Sequence, residues 1–539
     1  MINTKNITMV TTSIFLFLFF CTVVQSQGEK KSFYAPYSLE IDTVIDTLEG
    51  YEFSLPDLIT IALQNNISIK SSKLTADQYK GGVISSKGVF FPSLTVSEQY
   101  QVDNLPTQYD FSAYGYGNPV DYSLEKVTSL NINQLLGGIG TSFSFNLQTT
   151  KFDNIFQSEA SDSLVTALTN AALLPERPQY TSVVTMGLAQ PLLDGFNMGK
   201  ISLKQAINNS DAWDSRYKRE IENTISRIEI AYWSLGEVEA REVVYRKSLK
   251  VAQELLDRNK NLNRLNLLTD LDVITAESGY QMRLSNLLQS QLSRENASEQ
   301  FMYLVYGKKA PEIIKENSHL IKTNPVLLTI PTRLNLDDLV LHAFKNRKDL
   351  EAVKLDLTNY SLSLKKTKNA LLPNLDLTIQ GYTNNTTIDV DEKFTNLDQN
   401  YDWFFQLQFT HYLFNKVDKG AYYSALAAQQ QSEYTVLDLE NYIRMELGIA
   451  LRTLDTEIKR MEYAEKAAIA ARKQLDYETK SLELGLSNSF RVLQTEEMTA
   501  SAELTAISAR VAVAKSISNY YHVLGDIGSK YLISSGTVE

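Results

Sequence analysis

Cysteine is almost missing from this chain: among 539 residues there is one, Cys21. Past the first segment, neither a disulfide nor a thiolate nucleophile is available. Histidine is scarce as well, and His319, His342, His411 and His522 are scattered without metal-ligand spacing. GGIG at 137–140 has no following Lys-Ser/Thr and is no phosphate loop. No Ser/His/Asp arrangement stands out, and acidic pairs such as Asp337-Asp338 read as helix-start residues. The expectation is a protein with no catalytic site, no cofactor and no metal. Glycine and proline number 23 and 12, too few for a fibrous or low-complexity chain. Positive charge is in deficit, at a net −11, and no basic patch with interleaved aromatics offsets it, which argues against a nucleic-acid partner. Past residue 27 no apolar run is long enough for a membrane helix. Hydrophobic residues at 43% and charged residues at 21% still suffice for a large core.

The one long apolar run opens the chain. MINTKNITMVTTSIFLFLFFCTVVQSQ has a lysine, an apolar stretch, then small and polar residues, the layout of a secretory signal peptide. Val24 and Ser26 fit the −3 and −1 positions of a cleavage site. An uncleaved anchor is the other reading, but the run is short for a span and ends at once in QSQGEKK. Cys21 as a lipid acceptor is a third, against which Phe20 stands where a small residue is expected. A secreted chain of this kind is soluble, surface-associated or a β-barrel.

What the chain has in plenty is itself. KGVFFPSLTVSEQY at 87–100 returns as KNALLPNLDLTIQGY at 368–382. Aligning Leu55–Val96 with Leu336–Leu377 needs no gap and gives eleven identities in 42 positions, among them Asn65/Asn346, Lys87/Lys368 and Pro92/Pro373. QPLLDGFNMGK at 190–200 matches HYLFNKVDKGA at 411–421, and TDLDVITAE at 269–277 matches NSFRVLQTE at 488–496. The order is the same in both halves, so the chain is a tandem duplication.

Each copy opens with a helix-like segment, Leu55–Phe91 or Leu336–Leu372, that Pro92 or Pro373 must end. The period then changes to two. Leu94, Val96, Tyr100 and Val102 alternate with polar residues, as do Leu375, Leu377 and Ile379, then Trp403, Phe405, Leu407 and Phe409, and Val184, Met186 and Leu188. Such strands suit a membrane barrel and a half-buried soluble sheet equally. Two helical stretches of about 65 residues follow, from Gly199 and from Gly420, each about 100 Å long. Their apolar rows run through Trp213, Tyr217, Ile221, Ile225, Ile228, Tyr232 and Leu235, and through Leu447, Leu451, Leu454, Ile458 and Met461. Turns at NLNRLNLLT and ELGLSNS lead into return helices with the near-3.5 spacing of coiled-coil packing. A return helix and an opening helix, end to end, match one long helix in length.

At this point the chain resembles the TolC-like outer membrane efflux protein family, the outer membrane factors. The carriers are the joints Leu372-Pro373-Asn374-Leu375 and Phe91-Pro92-Ser93-Leu94, QPLLDG at 190–195, the Gly485 turn with its VLQTEE continuation, and return helices ending in YLVYG (303–307) and YHVLG (521–525). The resemblance implies an α+β homotrimer in the cell outer membrane. Four strands per protomer would build one shared β-barrel, continued into a long periplasmic α-helical coiled-coil barrel. It implies a passive duct in contact with outer membrane lipid, joined at the helical tips to a periplasmic adaptor (membrane fusion) protein and, through it, to an inner-membrane pump. The segments would be a signal peptide at 1–26, an N-terminal periplasmic segment at 27–54, a first repeat at 55–307 and a linker at 308–335. A second repeat at 336–525 and a C-terminal tail at 526–539 complete it. In the first repeat the strands fall within 93–193 and the hairpin spans 199–305; in the second these are 374–413 and 420–525.

The resemblance also places a gate at the helical turns, where rings of charge can select. The matching residues are Asp270 and Asp272 in the first copy, and Arg491 and Gln494 in the second. The family's best-known kind of member has carboxylates at the positions of Arg491 and Gln494, and Leu482 and Ser487 here lack its polar latch residues. An ion pair between Asp272 and Arg491 on neighbouring hairpins is the resulting hypothesis. Residues 104–181 depart further from the family: YDFSAYGYGNPVDY precedes GGIGTSFSFNLQ, whose Phe143, Phe145 and Leu147 alternate like a fifth strand. Either this is an outer-surface hairpin beyond the barrel, which we favour, or the strand boundaries lie elsewhere. A periplasmic coiled-coil adaptor or scaffold is the alternative function. It would show one hairpin flanked by soluble β domains.

Overall fold

The repeated joint does what its proline dictates. Helix α2 (Ile67–Gly88) ends four residues before Pro92, and strand β1 (Ser93–Asp103) begins after it. Backbone N–H groups of Phe90 and Phe91 donate to Lys87 O at 3.1 Å and Gly88 O at 3.0 Å, closing the helix. In the second copy α6 (Lys348–Asn369) stops before Pro373 and β5 (Asn374–Thr387) follows. The structure, a computed structural model, describes residues 55–103, 122–155, 178–312, 323, 335–395, 397, 401–529 and 531. The expected signal peptide with Cys21, the tyrosine-rich stretch before residue 122 and His319 lie outside the described residues.

The opening helix is not continuous, contrary to the sequence reading. It divides into α1 (Leu55–Asn65) and α2, and in the second copy into α5 (Leu336–Asn346) and α6. Asn66 takes an extended conformation, and its side-chain oxygen accepts from Ser68 N–H at 2.9 Å and Ile69 N–H at 3.3 Å. Asparagine competes for backbone donors and so starts a helix more readily than it continues one. Arg347 makes the matching break at φ −67°, ψ 116°.

The sheet also departs from expectation. Strands β2 (Tyr122–Leu136), β3 (Thr141–Ile155), β4 (Gln179–Pro191) and β6 (Tyr401–Thr410) join β1 and β5 in one six-stranded sheet. Its order is β1 to β6 and every pair is antiparallel. The described residues therefore supply six strands, not four. Nor is the additional hairpin an outer-surface appendage: β2 and β3 stand between β1 and β4. Their turn, 137–140, rests on the connection after β4, where Asn197 N–H and the Gln190 side-chain amide each donate to Ile139 O at 3.2 Å. The alternation of β2 is masked in the sequence because Lys126, Thr128 and Gln134 interrupt its apolar positions Leu124, Leu130, Ile132 and Leu136.

One face of this sheet is apolar in the rows nearest the helices. The register sets Leu94 beside Ile132, Phe145 and Met186 in turn, and Val96 beside Leu130, Leu147 and Val184. On β5 and β6 the same face shows Ile379 against Phe405 and Leu377 against Leu407. The other face carries hydroxyls and amides. Ser97 and Ser129 share a hydrogen bond of 2.7 Å, and Asn146 donates to Asn131. Among the described residues no helix is long and apolar enough to cross a membrane.

Helices α3 (Ile201–Arg264) and α7 (Lys416–Glu483) have 64 and 68 residues, and α4 (Asp270–Tyr306) and α8 (Ser489–Leu524) return from them. Helix α3 packs against α4 and α2, and also against α6 and α8 of the second repeat. Short helices thus flank a long one, as their lengths suggested. The expected apolar row of α3 is largely interior: Ile225, Ile228, Tyr232 and Leu235 are fully buried, and Trp213 stacks on Tyr79 at 5.1 Å. The core forms belts. One joins Leu58 of α1, Ile228 and Tyr232 of α3, and Phe301 of α4. Its counterpart joins Leu339, Leu350, Ile443, Leu447 and Val523. A third, nearer the tips, gathers Ala252, Leu255, Leu482, Val492 and Leu493. Beyond α8, Ile527 is fully buried in the first belt, and the Tyr531 hydroxyl donates to Glu229 within it. Residues 527 and 531, assigned to a tail by sequence, therefore belong to the core.

Candidate functional site at the helical tips

The two hairpin turns are built alike. In Leu265-Asn266-Leu267 and Leu484-Gly485-Leu486 the middle residue is left-handed, at φ 56° and φ 75°. Asparagine and glycine are the residues that tolerate this conformation, and each ends its helix in a Schellman arrangement. Leu267 N–H donates to Leu262 O at 2.9 Å, and Leu486 N–H to Ser481 O at 2.8 Å. Leu265, Leu267, Leu484 and Leu486 project outward, each at least two-thirds exposed (67–75%).

The return helices start differently. Thr269 caps α4 in a capping box, with Asp272 accepting from the Thr269 hydroxyl at 2.6 Å and its N–H at 3.1 Å. The Thr269 hydroxyl, then its N–H, hold the Asp272 carboxyl below the usual carboxylate range. Asp270 accepts from the Asn263 side chain at 3.1 Å. Arg491 occupies the position of Asp272 in the second copy. A cation there opposes the helix dipole, and Glu478 of α7 offsets it from 3.2 Å. Glu478 also accepts from the Ser487 hydroxyl. Gln494 is exposed on α8. The structure thus gathers all four candidates at one end of the helices, but within the chain it does not pair Asp272 with Arg491. Thr269 already satisfies the former and Glu478 neutralises the latter.

What holds the two hairpins together lies just behind the turns, and sequence reasoning passed over it. Arg283 of α4 and Glu496 of α8 form an ion pair at 2.7 Å, with side chains only 6% and 5% exposed. Arg283 also donates to Leu493 O at 2.9 Å and Gly279 O at 3.2 Å. Asn259 of α3, 1% exposed, donates to Asp272 O at 3.0 Å and accepts from the Ser489 hydroxyl at 2.9 Å, touching both return helices. Glu496 stands opposite Glu277 in the repeat alignment, yet Glu277 is exposed. Only a cross-repeat partner distinguishes them, and no local pattern signals one.

A second charged cluster lies in the middle of the helical region. Arg347 pairs with Asp349 and Glu446 at 2.6 Å each, and Arg219 with Glu222 at 2.9 Å. Beside them His522 places Nε2 2.8 Å from Asn223 Oδ1. Burial, then the charges of Arg219 and Arg347, push His522 down to about 3, so it stays neutral. Among the described residues no three His, Cys, Asp or Glu side chains converge as a metal site.

An antiparallel sheet continued by two long hairpins is a fold found in solved outer-membrane channels. Solved structures agree. The outer membrane channel CmeC of Campylobacter jejuni superposes with a TM-score of 0.66 at 13% identity, covering 94% of this chain and 93% of that one. The outer membrane protein VceC of Vibrio cholerae gives 0.63 at 15% identity, covering 87% and 96%. The open-state MtrE outer membrane channel of Neisseria gonorrhoeae gives 0.58 at 16%, covering 93% and 97%. Residues 339–526 match the family described as outer membrane efflux protein. No curated protein sequence matches. The chain thus shares the fold of these channels over most of its length, and its second repeat matches the outer membrane efflux protein family in sequence. Proteins of this family are channels, not enzymes, set in the outer membrane with a periplasmic helical part.

Proposed function

We propose that this chain forms, as a homotrimer, the passive outer-membrane duct of a tripartite efflux or type I secretion system. One observation carries the reading: a sheet with one apolar face and two unpaired edge strands, β1 and β6, is continued into hairpins about 100 Å long. This sheet is open, with β1 and β6 not paired to each other, and open edges in lipid leave backbone donors unmet, so copies would complete it. The exposed leucines of the two turns suit docking of a periplasmic adaptor, which would couple the duct to an inner-membrane pump. Asp270, Asp272, Arg491 and Gln494 surround the opening there as the gate, and Arg283 with Glu496 holds the hairpins closed behind it.

The test is the mass of the protein extracted from membranes in mild detergent, by light scattering corrected for bound detergent. A trimer obtained only with detergent is expected. A monomer or dimer released without detergent would sink the duct, and the strands would then belong to a soluble sheet.

A further inference from the structure

The family resemblance implies four strands per protomer, whereas the described residues of this chain supply six. We propose that its barrel is eighteen-stranded, three copies of a six-stranded sheet, and that the hairpin β2–β3 is wall, not ornament. The inference rests on the trimeric duct and adds to it the width and lining of the bore.

The register carries the argument. If the hairpin were an appendage, the pattern of the wall would stop at its borders, and it does not. On the apolar face the rows Leu94–Ile132–Phe145–Met186 and Val96–Leu130–Leu147–Val184 run without a break from β1 through the hairpin to β4. Further from the helices come a polar row, Glu98–Thr128–Thr149–Ser182, and then the row Tyr100–Lys126–Lys151–Tyr180. Aromatic and cationic side chains at one level are what the border of an apolar membrane band requires. Lys126 lies over the Tyr100 ring at 4.9 Å and pairs with Glu98, so this level is tied across β1 and β2. At the helical end the hairpin turn is fixed to the same plane as the proline joints: the Gln134 side chain donates to Phe90 O at 3.1 Å, beside Pro92.

Closure follows from strand sense. Six is even, so β6 of one copy runs antiparallel to β1 of the next, and the two edges are of near-equal length, 10 and 11 residues. Both are exposed along nearly their whole length, so nothing among the described residues covers them. At a given tilt, diameter grows linearly with strand number, so eighteen strands give a bore about one and a half times that of twelve. The added wall presents Ser129, Asn131, Ser144, Asn146 and Gln148 on the polar face. These are uncharged hydroxyls and amides. On the row of Asn131 and Asn146, β6 adds one carboxylate per copy, Asp402, so such a lumen admits bulky hydrophilic cargo past a wall of hydroxyls and amides with a single acidic side chain per copy at this level.

Engineered cysteines test this cleanly, since the chain has only Cys21, and the parent protein without added cysteines sets the background. In detergent-extracted protein, Ser97→Cys is combined in turn with Gln406→Cys or Gln408→Cys on β6, and separately with Val183→Cys on β4. After mild oxidation, the β1–β6 pairs are expected to give covalent dimers and trimers on denaturing gels. The β1–β4 pair is expected to give no intramolecular disulfide, because β2 and β3 stand between. If light scattering shows a trimer but Ser97→Cys links to Val183→Cys, the barrel is twelve-stranded; this inference fails and the duct reading survives. If the extracted protein is monomeric and no β1–β6 link forms, both fail.

Discussion

The ion pair behind the tips is the most exposed consequence of this structure. Glu496→Gln would keep the shape of the side chain and remove its charge, leaving the Arg283 guanidinium buried with neutral acceptors alone, the new amide oxygen and the carbonyls of Leu493 and Gly279. Arg283→Met would leave the reverse, a buried carboxylate. Removing one partner of such a buried pair costs about 3–5 kcal/mol. Those energies fall on the contact between α4 and α8, the contact that must part if the hairpins separate. At 1.4 kcal/mol per tenfold, even 3 kcal/mol raises the separated population on the order of a hundredfold. Planar-bilayer conductance should rise in both single variants, and amide hydrogens of residues 492–499 should exchange faster. Replacing both residues by Met should restore much of the protection, since no charge is then stranded. If Glu496→Gln leaves conductance and exchange as in the parent, the pair is not what holds the hairpins.

Other consequences follow from the joints. Gly307→Ala places a Cβ 2.7 Å from Asn65 O at φ 55°, and should lower stability by about 1–3 kcal/mol, more than Gly525→Ala, whose nearest contact is 3.2 Å; thermal unfolding in detergent compares them. Asn66→Ala removes the cap of α2 and its 3.3 Å donation to Leu304 O, a loss of about 1 kcal/mol from the cap readable in the same assay. His522 sits at about 3 in the fold against 6.5 when unfolded. Its contribution is therefore complete above pH 6.5 and declines as pH falls from 6.5 towards 3, at up to about 1.4 kcal/mol per pH unit, because the unfolded chain takes up the proton first. Unfolding temperatures measured at pH 7 and pH 5 should differ less in His522→Gln than in the parent.

Most of the helical architecture was legible because long amphipathic helices and proline stops write themselves in local periodicity. The joints at Pro92 and Pro373, the turns at 261–269 and 483–489, and the apolar row of α3 all stand where the sequence put them. The breaks at Asn66 and Arg347 were less visible, since one polar residue in a polar segment changes the periodicity little. Strand β2 was hidden for a different reason. Its two faces are both partly polar, so its place is fixed by hydrogen bonding to β1 and β3, not by its own alternation. The tips divide in the same way. Asp270, Asp272, Arg491 and Gln494 were found because they adjoin a turn, whereas Arg283, Glu496 and Asn259 matter through partners more than 200 residues away.

The burial of Ile527 and Tyr531 among residues of α1, α3 and α4 bears on how the molecule comes into being. The earliest described helix and the last described residues finish one and the same belt. Nothing assembled from the first repeat alone can complete it, however long that repeat waits. Loop closure over more than 400 residues is slow, and unfinished β edges are sticky meanwhile. The polypeptide must therefore stay soluble and unaggregated until residue 531 is available to fold with the rest. A truncation just after Gly525 should give a protein that is made, exported and then degraded.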